Sequence, residues 1–366
     1  MTRKPRVLFV GRTRYRLPLS PSLERKFDAL GSELDLRVLA SALPGSPVRD
    51  ATFTLVRPLP ALVDGPAFWL TLPTRIARLL RTFQPDTVVC QTAYDAAAAL
   101  VARRLARVPA RVVVEVHGDW RTSTRLYGSR ARRLLAGLGD RVAASALRHS
   151  DAVRTVSPFT AELVRSLGVE PAADFPAFMD LEPFAAEPKP LPERASALFV
   201  GVLEAYKNID GLAAAWSRVV RQLPDASLRI IGDGSRADVV DRLVRDHGVR
   251  WDARVSSDEV AAALDDAWVL VLPSRSEGMG RVLVEAFCRG RGVVGTRVGS
   301  IPNLVDDGGS GLLVPAEDTE ALAAALVRVL SDRPLAERLA EGARGAAAPW
   351  LQTPEEYARR LRDLVA

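Results

Sequence analysis

Along this chain, short apolar runs alternate with longer stretches in which apolar residues return every three to four positions. The first pattern predicts buried strands and the second predicts amphipathic helices. The predicted strands are Val7–Val10, Leu36–Ala40, Thr87–Cys90, Val112–Val116 and Ala152–Thr155, followed by Ala197–Val200, Leu228–Ile231, Trp268–Leu272, Val293–Gly295 and Leu312–Val314. Predicted helices between them include Asp95–Ala106, Leu134–Leu147, Ile209–Leu223 and Glu317–Leu330. Strands and helices in strict alternation imply parallel sheets covered by helices on both faces. The alternation breaks at 183–194, P-F-A-A-E-P-K-P-L-P-E-R, where four prolines remove donors and disfavour helix in the residues before them. An apolar run restarts at once, from Ala197 to Gly201. The expected layout is therefore two α/β domains, 1–182 and 195–348, joined by a proline-rich linker at 183–194. A closing segment, 349–366, carries an amphipathic helix from Pro354 to Ala366 that either crosses back onto the first domain, anchored by Trp350 and Tyr357, or caps the second.

Composition narrows the class of protein. Of the 366 residues, 48% are hydrophobic, enough for sizeable cores in two domains. The two cysteines, Cys90 and Cys288, sit in apolar runs and suggest no disulfide framework, which suits a reducing compartment. The three histidines, His117, His149 and His247, are too scattered for a His/Cys metal pattern, so no metal site and no cofactor are expected. The first apolar run is too short for a signal peptide, and no run approaches the 18 or so residues that would cross a membrane. A cytoplasmic protein is expected. The net charge of +6, from 50 Lys+Arg against 44 Asp+Glu, suits anionic ligands such as nucleotides. No nucleic-acid-binding motif appears, so nucleic acid is not an expected partner.

In open parallel sheets, ligands bind beyond the carboxyl ends of the strands. Here those ends are polar or glycine-bearing: Gly11-Arg12, His117-Gly118-Asp119, Gly201, Gly232-Asp233-Gly234 and Pro273-Ser274. The richest is Pro273 to Glu285, P-S-R-S-E-G-M-G-R-V-L-V-E, a strand end, a glycine turn and a helix start with one carboxylate in the turn and one on the helix. Backbone N–H groups at such a helix start can hold a phosphate, and the glutamates can accept hydroxyl hydrogen bonds. Those are the parts needed to grip a sugar nucleotide. The alternative is an ordinary strand–loop–helix unit with solvated glutamates.

Taken together, these segments resemble the GT-B glycosyltransferases of the group 1 type (glycosyltransferase family four). Glu277 and Glu285, with seven residues between them, match the family's paired-glutamate element. G-R-G-V-V-G-T-R-V-G-S-I-P-N-L-V from Gly290, G-G-S-G-L-L-V-P from Gly308, I-I-G-D-G from Ile230 and F-V-G-V-L-E-A-Y-K from Phe199 match its second domain in order. V-V-E-V-H-G from Val113, D-A-V-R-T-V-S from Asp151 and D-L-E-P-F from Asp180 match its first. The resemblance implies two Rossmann-like doubly wound domains facing a central cleft, whose closure would bring Glu277 and His117 together. It implies a metal-independent enzyme that moves a sugar, with retention, from a UDP- or GDP-sugar to an acceptor the sequence does not name. Glu277 would contact donor hydroxyls beside the anomeric carbon. Gly278, Met279 and Gly280 would offer backbone N–H groups, and Glu285 would accept both ribose hydroxyls. Lys207 would pair with the diphosphate. Gly201 and Gly234 would let backbone approach the nucleotide, the alternative for Gly232-Asp233-Gly234 being a tight βα turn with no ligand role, and Arg254-Val255 would lie near the base. His117 would serve the acceptor face, with Gly11 and Asp119 close by. No D-x-D motif ends a strand, since Asp265-Asp266 fall in a helical pattern. The departing diphosphate would then be met by positive groups and helix N-termini.

The chain departs from the family at several positions. Val202 stands where an arginine is usual, and Arg281 is a candidate replacement. The loop after the first strand reads G-R-T-R-Y-R-L-P-L from Gly11, without paired glycines, so Arg12, Arg14 or Arg16 could reach an anionic acceptor group. A-F-M-D, from Ala177, replaces the usual N-G-V-D. Seven arginines between Arg121 and Arg148, against the single acid Asp140, give either a solvated helix face or a peripheral contact with an anionic membrane. Rival readings are a sugar-nucleotide epimerase on the same architecture, a hydrolytic or phosphorolytic sugar enzyme, and a non-catalytic nucleotide-sugar-binding subunit.

Overall fold

A computed structural model describes residues 3–127 and 135–366. The chain forms two compact units. The first takes in the chain as far as Arg121, the segment that ends at Phe178, and Gln352–Ala366; the second is Met179–Leu351 with a short stretch that begins at Thr122.

The strands of the first unit are β1 (Arg6–Tyr15), β2 (Asp35–Ala42), β3 (Phe53–Val56), β4 (Thr87–Cys90), β5 (Arg111–Val116), β6 (Ala152–Thr155) and β7 (Ala173–Asp174). They form one sheet in the order β3-β2-β1-β4-β5-β6-β7, and every pairing is parallel. Alternate residues of a strand face opposite sides. Leu8 and Val10 pack under the helices Ala61–Phe83, Ala93–Ala106 and Ala136–His149, whereas Val7 and Phe9 pack under Pro21–Glu33 and the last helix, Pro354–Val365.

The second unit has β8 (Ser196–Val200), β9 (Ser227–Ile231), β10 (Arg250–Asp252), β11 (Val269–Leu272), β12 (Gly292–Thr296) and β13 (Gly311–Val314). Their order is β10-β9-β8-β11-β12-β13, again all parallel. Phe199 and Val271 pack on the side of the helices Ile209–Gln222 and Thr319–Ser331; Leu198 and Leu270 pack on the side of Ser257–Asp265 and Arg281–Cys288.

The structure adds to the sequence expectation in three places. β3, β7 and β10 were not expected, and each is a sheet edge. Each of the three has partly exposed positions and so lacks the fully buried apolar run of the central strands. β1 runs five residues past its expected end, to Tyr15. The helix Ala61–Phe83 carries Pro66 and Pro73 inside it, which hid a regular apolar face of Phe68, Leu72, Ile76 and Leu80.

The proline-rich stretch is pinned along the second unit. Arg289 donates to the carbonyl of Ala186 at 2.5 Å, Arg291 to that of Lys189 at 2.9 Å, Arg333 to Leu191 and Pro192 at 2.8 and 2.9 Å, and the Trp268 indole to Pro192 at 2.8 Å. The carbonyls of this extended stretch, that of Pro192 among them, are taken up by four side chains of the second unit. The final helix belongs to the first unit. Its carbonyl at Val365 accepts from Thr87 Oγ1 at 3.2 Å, and Arg362 pairs with Glu33 at 2.8 Å. Tyr357 is buried there, while Trp350 packs with the core of the second unit.

Candidate functional site

In the second unit the chain reverses its direction across the sheet between β8 and β11, which opens a crevice at their carboxyl ends. The segments that follow those two strands hold Gly201–Lys207 and Ser274–Gly280, which brings most of the expected donor residues to one place.

Lys207 closes a turn of 3₁₀ helix, Ala205–Lys207. Asn208 follows at φ 55° and caps the next helix, its side chain accepting from Gly211 N–H at 3.1 Å. This turn fixes Lys207 in a buried position with Nζ 2.5 Å from Glu277 Oε2. Glu277 Oε2 also accepts from the buried Ser274 hydroxyl at 3.3 Å, and Thr296 Oγ1 donates to the Ser274 carbonyl at 2.5 Å. The Glu277 carbonyl accepts from Ser300 N–H at 3.0 Å. Gly299 packs so closely there that a Cβ would stand 2.0 Å from that carbonyl oxygen, at a φ of 55°. Gly280, at φ 67°, begins the helix Arg281–Cys288 with no side-chain cap, which leaves that helix start to the backbone N–H groups. Glu285 is buried one turn in and accepts from Arg281 Nε at 2.6 Å. Arg281, the candidate replacement for the arginine absent at Val202, is thus engaged with the expected ribose carboxylate.

Met279 packs partly against the core, and Val255 does the same. Arg254 is exposed, 3.6 Å from Asp233. Val202 is exposed. Gly232 and Gly234 have a packing role, since a Cβ on them would stand 1.9 Å from the Gly201 carbonyl oxygen and 2.6 Å from that of Leu203. The turn after β9 therefore nests on the segment that carries Lys207.

Arg275 was not singled out from sequence. Its N–H donates to the Tyr206 carbonyl at 2.7 Å, and its guanidinium bonds the Ala205 carbonyl and both Glu317 oxygens. It ties together the Lys207 turn, the Glu277 loop and the loop after β13. Nothing in P-S-R-S-E-G separates a tethering arginine from a solvated one, because its partners are a backbone carbonyl 70 residues away and a carboxylate 42 residues away.

In the first unit, β1 and β4 flank the corresponding reversal. Gly11 lies against Gln91, where a Cβ would stand 2.0 Å from Oε1, and Thr13 Oγ1 bonds the same oxygen at 2.6 Å. His117 follows β5, half exposed, with Nε2 3.4 Å from Glu115 Oε2. Asp119 accepts from Arg121 N–H at 2.9 Å. Glu115 is buried and paired with the fully buried Arg154, its register partner on β6, and Arg154 also donates to the carbonyls of Phe175 and Pro176 at 3.0 and 2.7 Å. Burial pushes the Glu115 carboxyl up, but Arg154 and then His117 outweigh it and hold it at about 2. The signal for this pair was in the sequence, as one Glu and one Arg inside two otherwise apolar strands. Arg12 and Arg14 both bond Asp64, and Arg16 is exposed.

Of the basic stretch Arg121–Arg148, residues 128–134 lie outside the described residues. Beyond them, Leu135, Leu138 and Val142 are exposed at the helix Ala136–His149. Among the described residues no helix is long and apolar enough to cross a membrane, and no three His, Cys, Asp or Glu side chains converge as a metal cluster would.

Comparison with known proteins places this geometry. A family model described as "Glycosyl transferases group 1" matches residues 194–332, and one described as "Glycosyl transferase 4-like domain" matches 21–173. Glycogen synthase of Mycobacterium tuberculosis is 35% identical over 166 residues, 44% of this chain and 40% of the relative. The chain spans about two-fifths of the length of such curated relatives. Among solved structures, sucrose-phosphate synthase from Thermosynechococcus elongatus superposes over 99% of this chain and 98% of its own, with a TM-score of 0.75 at 19% identity. Anabaena HepE in complex with UDP-glucose superposes over 98% of this chain and 99% of its own, with a TM-score of 0.70 at 16% identity. Two Rossmann-ordered sheets, the paired glutamates at the β11 crevice and these matches across both units lead to one conclusion: the fold is GT-B, and the chain belongs to the group 1 glycosyltransferases.

Proposed function

We propose that this chain is a retaining glycosyltransferase that moves a sugar from a nucleotide-diphosphate sugar, UDP- or GDP-linked, to an acceptor hydroxyl in the cytoplasm without a metal. The observation that carries the reading is the grouping of Lys207, Glu277 and the uncapped helix start at Gly280 in one crevice, with Glu285 buried a turn behind it. The solved complex of HepE with UDP-glucose supports a donor of this kind.

The residues divide the work by charge. Lys207 and the N–H groups at Gly278–Gly280 would meet the diphosphate, and the carboxylates would take hydroxyls of the sugar and ribose. In the structure Lys207 and Glu277 neutralise each other. A donor would divide that pair, its phosphate drawing Lys207 and its sugar hydroxyls drawing Glu277. The bond from the anomeric carbon to the phosphate oxygen then breaks, and the acceptor oxygen bonds to that carbon on the same face. The acceptor proton passes to the departing phosphate oxygen, so no strong protein base is required. His117 is assigned an acceptor-side role. The exposed Leu138 and Val142, beside Arg141 and Arg148, support a peripheral contact with an anionic membrane, which sedimentation with anionic vesicles tests.

Glu277→Ala is expected to lower turnover by about 100-fold or more while nucleoside diphosphate still binds. Unchanged product formation would sink the site assignment. An inverted anomeric centre in the product, read by NMR, would sink retention, and loss of turnover in EDTA would sink metal independence.

A further inference from the structure

The first unit carries a set of arginines that the transfer step above leaves unused. β1 continues past Val10 to Tyr15, with a shift of register between Val10 and Arg14. Residues two apart on an extended strand share a side. Arg12 and Arg14 accordingly reach the same carboxylate oxygen, Asp64 Oδ2, at 2.6 and 3.3 Å. The other oxygen, Oδ1, accepts from Leu59 N–H at 2.9 Å, so Asp64 is fixed as well as buried. One carboxylate thus answers two guanidinium groups and leaves a positive charge over. Arg12 Nε is also buried with no hydrogen-bond partner, and a buried donor without an acceptor is costly.

Beside Asp64 opens a groove of about 390 Å³, whose lining includes Arg57, Leu59, Thr71 and Arg75. Arg75 Nε donates to Thr71 Oγ1 at 3.1 Å, which orients its guanidinium. Arg57 directly follows β3, and Arg12 and Arg14 lie in the last part of β1. The cluster therefore sits at the carboxyl end of the parallel sheet, the end from which such sheets bind ligands, and His117 follows β5 at that same end. Arg57 and Arg75 line the groove, and Arg12 and Arg14 reach Asp64, the one acid in its lining. Guanidinium forks match phosphate oxygens two at a time.

We propose that Arg12 and Arg14, with Arg57 and Arg75, form a phosphate subsite in the first unit, so that the acceptor is a phosphate ester. Its phosphate takes the place of Asp64 on one guanidinium and gives Arg12 Nε an acceptor. This rests on the transferase reading and names its acceptor class.

The test uses the full chain carrying Lys207→Ala, which weakens binding of the probes at the donor side. Glucose 6-phosphate and vesicles of phosphatidylinositol are titrated separately, by calorimetry and by co-sedimentation. Saturable binding of one of them is expected, with affinity at least 10-fold weaker after Arg12→Gln with Arg14→Gln and unchanged after the exposed control Arg338→Gln. Binding of glucose 6-phosphate alone identifies a free phosphorylated acceptor; binding of the vesicles alone identifies a lipid headgroup. Should the double variant fail to fold, Asp64→Asn frees both guanidinium groups and should tighten binding several-fold. Binding of neither probe, equal binding by the double variant, or no change with Asp64→Asn overturns the proposal. UDP-sugar binding by the chain with Lys207 intact is measured in parallel. Its persistence would show that a failure belongs to the phosphate subsite and not to the transferase reading.

Discussion

Two buried carboxyl groups of the first unit show how neighbours decide what burial does. Glu115 has Arg154 and His117 beside it and is held at about 2 against the push of burial. Asp95 lies at the start of the helix Ala93–Ala106, where burial pushes it up to about 7, against hydrogen bonds from Thr92, and its Oδ1 has no partner. The signs of linkage are opposite. Glu115 has a depressed folded value, so its contribution is present above about pH 4 and is lost as the pH falls toward 2. Asp95 has a raised folded value; the native state holds a proton that the unfolded chain releases near pH 4, so stability declines as pH rises from about 4 to 7. Asp95→Asn should remove that decline. Urea melts at pH 8 are predicted to show it more stable than the wild type by roughly 4 kcal/mol, with little difference at pH 4. Parallel stability curves for the two proteins would contradict the assignment. The sequence shows Glu115 and Asp95 as the same kind of side chain. Only the pairing of β5 with β6, which brings Glu115 opposite Arg154, separates them.

At the scale of elements, the central strands were legible because both faces of a parallel sheet are buried and the runs are continuously apolar. The edges β3, β7 and β10 were not, since a half-solvated strand of two to four residues leaves no such run. The stretch 183–194 is the instructive case. Apart from the 3₁₀ turn Glu182–Phe184 it forms no helix or strand, as its prolines signal, but they say nothing about where the carbonyls go. Arg291, fully buried, donates to six carbonyl oxygens, among them those of Leu264, Asp265 and Lys189 at 2.8 to 2.9 Å. Burial draws its pKa down to about 10, which still leaves it charged at neutral pH. Arg291→Leu would remove the charge and strand those carbonyls. A loss of about 3–5 kcal/mol is expected in denaturant unfolding of the second unit. A loss under about 1 kcal/mol would mean that the other donors to the strap, Arg289, Arg333 and Trp268, hold it without Arg291.

For the whole molecule, the two-unit plan and the residues that meet at the β8–β11 crevice could be read from sequence because they lie in short, ordered segments: Phe199–Lys207, Ile230–Gly234 and Glu277–Glu285. The first-unit contacts were less legible, since they join residues far apart in the chain: Arg12 with Asp64, Thr13 with Gln91, and Glu115 with Arg154. The last helix joins the first unit across most of the chain's length, burying Tyr357, Leu361 and Val365 in its core. A chain ending at Leu351 is therefore predicted to lose the melting transition of the first unit, or to have it lowered by about 10 °C or more, while nucleotide binding by the second persists. An unchanged melting profile would contradict that view of the helix. The proposed nucleotide-sugar site of Lys207, Glu277 and Glu285 is put to the test by calorimetric titration of UDP- and GDP-sugars in EDTA. Saturable binding of one donor by the wild type is expected, weakened about 10-fold or more by Glu285→Gln and by Lys207→Ala. No binding of any nucleotide sugar, or equal binding by both variants, would contradict it.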